Sequence, residues 1–326
     1  MSRRVTTLLI VLAALAVLAT AAWKIARRAE ARADTAYLNG VLEIPFATTR
    51  GHVANGEITE GHDRFGYEVS GSVPGINGPI AEDIFVVVHG LNNTETKGVN
   101  RFGLARESLQ YNGYEGEVIG FSWDGATNWD PFGATGYRTA KHNAMANGPK
   151  LAQFLTDLQS ANPNARVRLI GYSMGARLVA EAVWTLDNDE RFKDDEWKIA
   201  SVHLVGAAID DEHLQTDDRY GTAIERRVGR FFNYYSPVDS KLGKYFPPLE
   251  ADRAVGRHDL EDPSKAPKNY VSHDVTDELL TADEEGDVDS NGERGRNHSS
   301  YLGIRRDDGK WVDDGCMDVV AKDIAR

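Results

Sequence analysis

Gly171-Tyr172-Ser173-Met174-Gly175 is the stretch of this sequence whose residue types and spacing point most directly to chemistry. The serine lies between an apolar run that ends at Ile170 and an amphipathic run that begins at Met174, the setting of a tight strand-to-helix turn. Glycines on both sides let the backbone turn sharply and leave the serine Oγ exposed. The helix N-terminus behind it offers N–H groups and partial positive charge to a developing oxyanion. These features suit nucleophilic attack on an acyl carbon, with the Met174 amide as one oxyanion donor. A second donor is expected from His89-Gly90-Leu91-Asn92-Asn93, directly after the apolar run Ile84–Val88. Gly90 permits close backbone approach there, so the N–H of Leu91 or Asn92 would complete the hole, and His89 itself reads as structural.

Such groups must be held by a rigid frame, and the pattern around them supplies one. Ile84-Phe85-Val86-Val87-Val88 is continuous and β-branched, as expected of a strand buried on both faces. Further strands are expected over 118–123, 167–170, 199–205 and 231–235, with helices over 98–111, 138–160, 174–186 and 224–228. Strands alternating with helices imply βαβ units, hence a mostly parallel sheet with helices on both faces. Residues 41–78, broken by Gly, Pro and Asn, read as short β pieces at a sheet edge.

These motifs resemble those of the α/β-hydrolase superfamily over roughly residues 84–303. Within it the chain is similar to a poorly characterised branch carrying His-Gly-x-Asn, Phe-Ser-Trp, G-x-S-M-G and Ser-x-x-Asp segments. Here these are His89–Asn92, Phe121-Ser122-Trp123, Gly171–Gly175 and Ser236-Pro237-Val238-Asp239. Two departures stand out: Tyr172 where a His is often found, and Asp124 where Pro is common. The resemblance implies the chain order nucleophile, acid, histidine. Asp239 fits the acid, with Asp210 and Asp211 as alternatives after the preceding strand. His258, His273 and His298 follow Asp239, and Asn297-His298-Ser299-Ser300-Tyr301 resembles the branch's His-x-x-Tyr pattern. His298 is therefore the expected base, with His273 second and His258 third. A Ser173–Asp239–His298 triad would run acyl transfer on a carboxylic ester or related acyl substrate and requires no metal or organic cofactor. Trp123, Trp129, Phe132 and Tyr137 are candidates for an acyl pocket. The rival expectation, a membrane-tethered interaction module without turnover, is disfavoured by the presence of all three triad residues.

Bulk properties narrow the partners. A net charge of −13 opposes nucleic-acid binding, because phosphate recognition needs a basic face. The single cysteine, Cys316, excludes an intramolecular disulfide and any Cys-rich metal site. From Val5 to Trp23 the chain is almost wholly apolar, about 28 Å as a helix at about 1.5 Å per residue, close to the thickness of a bilayer core. Arg3 and Arg4 precede it, and Ala19-Thr20-Ala21 forms a small-x-small site, so a cleaved signal competes with a retained anchor. Trp23, Lys24, Arg27 and Arg28 follow at once and favour the anchor. The expected organisation is an N-terminal anchor or signal segment with linker over 1–33 and a hydrolase domain over 34–326, the latter more suited to the extracytoplasmic side. Residues 274–296 read as an acidic surface loop. Within them Asp287-Val288-Asp289-Ser290-Asn291-Gly292 opens like a calcium loop, but His298 stands where the bidentate Glu belongs.

Overall fold

The structure, a computed structural model, describes residues 44–126, 134–194, 196–280, 298–305 and 311–325. The apolar N-terminal segment, Trp129, Phe132 and the calcium-like stretch 287–292 lie outside these residues. Among the described residues no helix is long and apolar enough to cross a membrane.

Four short strands open the described chain: β1 (Phe46–Thr48), β2 (Val53–Ala54), β3 (Glu57–Ile58) and β4 (Glu68–Ser70). Six longer ones follow: β5 (Asp83–Val88), β6 (Glu117–Ser122), β7 (Arg166–Tyr172), β8 (Ile199–Val205), β9 (Val228–Tyr235) and β10 (Tyr270–Asp274). Eight of the ten form one sheet in the order β10-β9-β8-β7-β5-β6-β1-β4. Every neighbouring pair is parallel except β1 with β4. β2 and β3 make a separate antiparallel pair.

The helices take both faces, as the sequence predicts. Ile84, Val86 and Val88 point into a cluster with α2 (Ala134–Ala161) and α3 (Met174–Asn188), whereas Phe85 and Val87 point into one with α1 (Glu95–Tyr111) and the C-terminal helix. Alternation across a strand buried on both sides is why the run contains no polar residue. α1 starts on Thr94, whose hydroxyl accepts the Lys97 N–H at 3.3 Å.

Strand order reverses between β5 and β7, since β6 lies beyond β5 and β8 beyond β7. In open α/β sheets such a switch point opens a crevice at the carboxyl ends of the two strands. The loop beginning at His89 leaves β5 and Ser173 leaves β7 at this point. The register pairs Val88 with Gly171, so the two segments emerge side by side.

Three elements differ from the sequence reading. β10 has little apolar content and lies where no strand is expected, its last residue, Asp274, inside the expected acidic loop; it pairs with β9 as an edge strand. Beyond the expected short helix α4 (Gly221–Arg227), a helix, α5 (Ser240–Glu250), follows Asp239 despite Pro247 and Pro248, and a single further turn, α6 (Val255–His258), follows it. The C-terminal helix is α7 (Met317–Ile324).

Candidate functional site

Ser173 has φ 55° and ψ −122°, a conformation that residues other than glycine rarely adopt. Its neighbours explain how the turn tolerates this. A Cβ on Gly171 would lie 2.8 Å from Ala176 Cα, and one on Gly175 would lie 2.4 Å from the His89 carbonyl oxygen. Both glycines are required by close backbone approach. The Ser173 carbonyl accepts N–H groups from Ala176 and Ala208, and its own N–H donates to Val205 O, all at 3.1 Å. Ser173 stands at the N-cap of α3 but makes no side-chain cap bond, so its Oγ is not diverted to the helix.

The hydroxyl faces His298, with Nε2 2.9 Å from Oγ. The other ring nitrogen, Nδ1, is 2.7 Å from Asp239 Oδ2. Asp239 is fully buried and its second oxygen accepts the Leu242 N–H at 2.8 Å, so one carboxylate both caps α5 and meets the imidazole. The Ser236–Asp239 segment makes the necessary turn, with Asp239 N–H donating to Ser236 O at 3.0 Å. Ser173, Asp239 and His298 are thus brought together by a switch-point turn, a helix cap and a short 3-10 turn (His298–Ser300).

The segment bearing His298 is held from several sides. Tyr172 donates its hydroxyl to His298 O at 3.1 Å and sets its ring against the imidazole, which gives the departure from the usual His a physical role. Arg101 donates to Ser299 O at 2.9 Å while its guanidinium lies over the Tyr172 ring. Cys316, buried at the N-cap of α7, donates its N–H to Tyr301 O at 3.2 Å. Burial, with the Asp239 charge adding to it, holds the Tyr301 hydroxyl well above its ordinary pKa.

The remaining candidates are engaged elsewhere. Asp210 faces Arg177 and His213; burial would raise its pKa, but the His213 bond and the Arg177 charge outweigh this and bring it to about 2. Asp211 faces Arg253, and burial raises its pKa to about 6. His273 lies on β10 with Nε2 3.0 Å from Asp323. His258 ends α6, and burial lowers its pKa. Trp123, a candidate pocket wall, is fully buried; its ring stacks on His89 and its Nε1 donates to His89 O at 2.8 Å. Tyr137 is buried in the larger core cluster.

The backbone donors divide. A Cβ on Gly90 would come within 2.9 Å of Ser173 Cβ, so the loop after β5 does run against the serine. The Asn92 N–H, expected as a possible donor, instead donates to Gly125 O at 2.7 Å. Asn92 adopts φ 60°, and that left-handed turn aims its amide at the loop after β6. The Leu91 N–H makes no bond among the described residues, nor does that of Met174.

A sequence profile described as an alpha/beta hydrolase of unknown function (DUF900) matches residues 77–257, more than half of the chain. The chain belongs to this family. The match takes in the hydrolase's strands β5–β9, Ser173 and Asp239 and stops before His298. No curated protein matches the sequence. Among solved structures, a cutinase-like protein from Cryptococcus sp. is 15% identical, with 75% of this chain and 93% of that chain covered and a TM-score of 0.35. An alpha-beta serine hydrolase homologue from Coxiella burnetii is 12% identical, with 59% and 74% covered and a TM-score of 0.32. Trichoderma reesei cutinase in complex with a C11Y4 phosphonate inhibitor is 20% identical, with 39% and 52% covered and a TM-score of 0.26.

Proposed function

We propose that this hydrolase is a serine hydrolase acting on a carboxylic ester or related acyl substrate, with Ser173 as nucleophile, His298 as base and Asp239 as its partner. One observation carries the reading: a single imidazole lies 2.9 Å from the Oγ of a strained serine and 2.7 Å from a buried carboxylate. In the neutral ring the Nδ1–H donates to Asp239, which leaves the Nε2 lone pair facing the hydroxyl.

The reaction then runs in two balanced halves. Oγ attacks the acyl carbon while its proton moves to His298 Nε2, and the carbonyl oxygen becomes an oxyanion facing the Met174 and Leu91 amides. Collapse breaks the bond to the leaving alkoxide, which takes the proton from Nε2 and departs as an alcohol. Water, giving its proton to Nε2, attacks the acyl-enzyme; collapse expels Ser173 Oγ, which recovers that proton, and the carboxylic acid leaves. Asp239 holds the ring and stabilises the imidazolium in both halves.

We further propose that the apolar stretch Val5–Trp23 tethers the hydrolase to a membrane, with the catalytic domain on the extracytoplasmic side. The length and apolar character of that stretch support the tether.

The test of the catalytic reading is hydrolysis of short-chain p-nitrophenyl esters by the wild type and by Ser173→Ala. Loss of turnover in a variant with unchanged circular dichroism is expected; turnover retained by the alanine variant would defeat the assignment.

A further inference from the structure

The strand-to-helix turn fixes Ser173, but residues 89–93 belong to no regular element and need other restraints. His89 gathers several of them. It is fully buried; its Nδ1–H donates to Gly90 O at 2.9 Å, and Nε2 accepts the Trp123 N–H at 3.2 Å. Only the neutral ring protonated on Nδ1 fits both partners. Burial, aided by the nearby Arg50 charge, lowers the His89 pKa to about 3 and keeps that form throughout the neutral range.

Arg50, in the loop after β1, closes the set. Its Nη2 carries two hydrogens: one goes to His89 Nε2 at 3.0 Å, the other to Asn93 O at 3.1 Å. Its Nε donates to Ser122 Oγ at 2.7 Å. The guanidinium therefore ties both ends of the 89–93 loop to the end of β6, and the charges of Asp124 and Glu95 face it. Ser122 and Trp123 thereby connect the Phe-Ser-Trp segment to the His-Gly-x-Asn segment.

Resting on the Ser173 reading above, we propose that Arg50 is the positioning residue of the oxyanion loop, holding the Leu91 amide where a tetrahedral intermediate needs it through its bonds to His89, Asn93 and Ser122. Arg50 touches no reacting atom in this role. A planar fork is required because three acceptors in different directions must be met at once, which an ammonium on a flexible stem does poorly. Displacing a catalytic group by about 1 Å costs on the order of a hundredfold in rate.

The experiment measures kcat and KM on a p-nitrophenyl ester, and affinity for a trifluoromethyl ketone that forms a hemiketal oxyanion, in wild type, Arg50→Met, Arg50→Lys and Ser122→Ala. Arg50→Met is expected to lose about a hundredfold in kcat with KM within about threefold, and ketone affinity should fall in proportion. In Arg50→Ala, whose truncation leaves room for the missing stem and fork, added ethylguanidinium should restore part of the lost kcat with KM unchanged. Arg50→Lys should fall between, and Ser122→Ala should lose about five- to tenfold in kcat. If Arg50→Met does not fold, Arg50→Lys and Ser122→Ala decide by the same split between kcat and KM. Folded variants with kcat within threefold of wild type, or with KM raised and kcat unchanged, would overturn the proposal. Ser173→Ala in parallel separates the two ideas: turnover retained there sinks the parent reading, whereas turnover lost there but kept in the Arg50 variants sinks the role of Arg50 alone.

Discussion

Replacing Asp239 by Asn should disable the hydrolase through the tautomer of His298, and the structure sets how much. Asp239 accepts two N–H groups, Leu242 N–H at 2.8 Å on Oδ1 and His298 Nδ1 at 2.7 Å on Oδ2. An amide has one oxygen and one NH₂, so it can accept only one of them. If the oxygen stays on Leu242, the helix cap survives and the NH₂ faces Nδ1. The ring must then carry its proton on Nε2, 2.9 Å from Ser173 Oγ, where it donates to the serine and cannot act as base. Holding the wrong tautomer in a Ser-His-Asp site costs about 10⁴-fold in kcat, or about 5 kcal/mol of barrier. The opposite orientation sets two donors against each other at the cap and costs about 1–3 kcal/mol of stability. The assay is kcat on p-nitrophenyl butyrate per folded molecule, with thermal unfolding as the control. A folded Asp239→Asn enzyme within tenfold of wild type would refute the arrangement.

Further outcomes follow from the same geometry. His298→Ala should lower turnover by at least about a thousandfold with little change in KM. His273→Ala and His258→Ala should each lose less than tenfold, and near-normal turnover in the His298 variant would reverse that ranking. Deleting residues 1–33 should move the hydrolase from the membrane fraction to the soluble one with esterase activity kept; a full-length product already soluble would count against a tether. Stability should fall on acidification, because burial lowers the pKa of His89 to about 3 and that of His203 well below its usual value. Both stay neutral in the folded chain while the unfolded chain takes up protons below about 6.5, so His89 removes about 1.4 kcal/mol per pH unit from there down to about 3, His203 acts in the same direction, and neither costs stability above about 6.5. Urea unfolding at pH 7 and pH 5 reads this directly, and equal stability at the two values would contradict it.

How much of this was legible in the sequence depends on whether the cause is local. Strand β5 is plain because a strand buried on both faces carries an unbroken apolar run, β6 to β9 because apolar residues still dominate them around single polar ones such as Arg168, His203 and Asn233, and the Ser173 turn because its glycines answer to backbone approach within a few residues. β10 is hidden because an edge strand needs no such run: Tyr270-Val271-Ser272-His273-Asp274 contains one aliphatic residue. α5 is hidden because Pro247 and Pro248 read as breakers, while its start depends on the cap made by Asp239. Which loop amide is already occupied could not be read at all, since Asn92 finds its acceptor at Gly125. Arg50 was missed for the same reason: its partners at 89, 93 and 122 share no pattern with its own surroundings. Tyr172 reads as a mere departure from a motif until its hydroxyl is seen on His298 O.

The decisive question is whether Ser173 is the residue that becomes acylated. Treating the purified hydrolase with a fluorophosphonate and mapping the adduct by tandem mass spectrometry tests this without knowledge of the natural substrate. One adduct per chain is predicted, on the peptide containing Ser173, absent in Ser173→Ala and slowed by about a thousandfold or more in His298→Ala. An adduct on another residue, or labelling undiminished in Ser173→Ala, would contradict it.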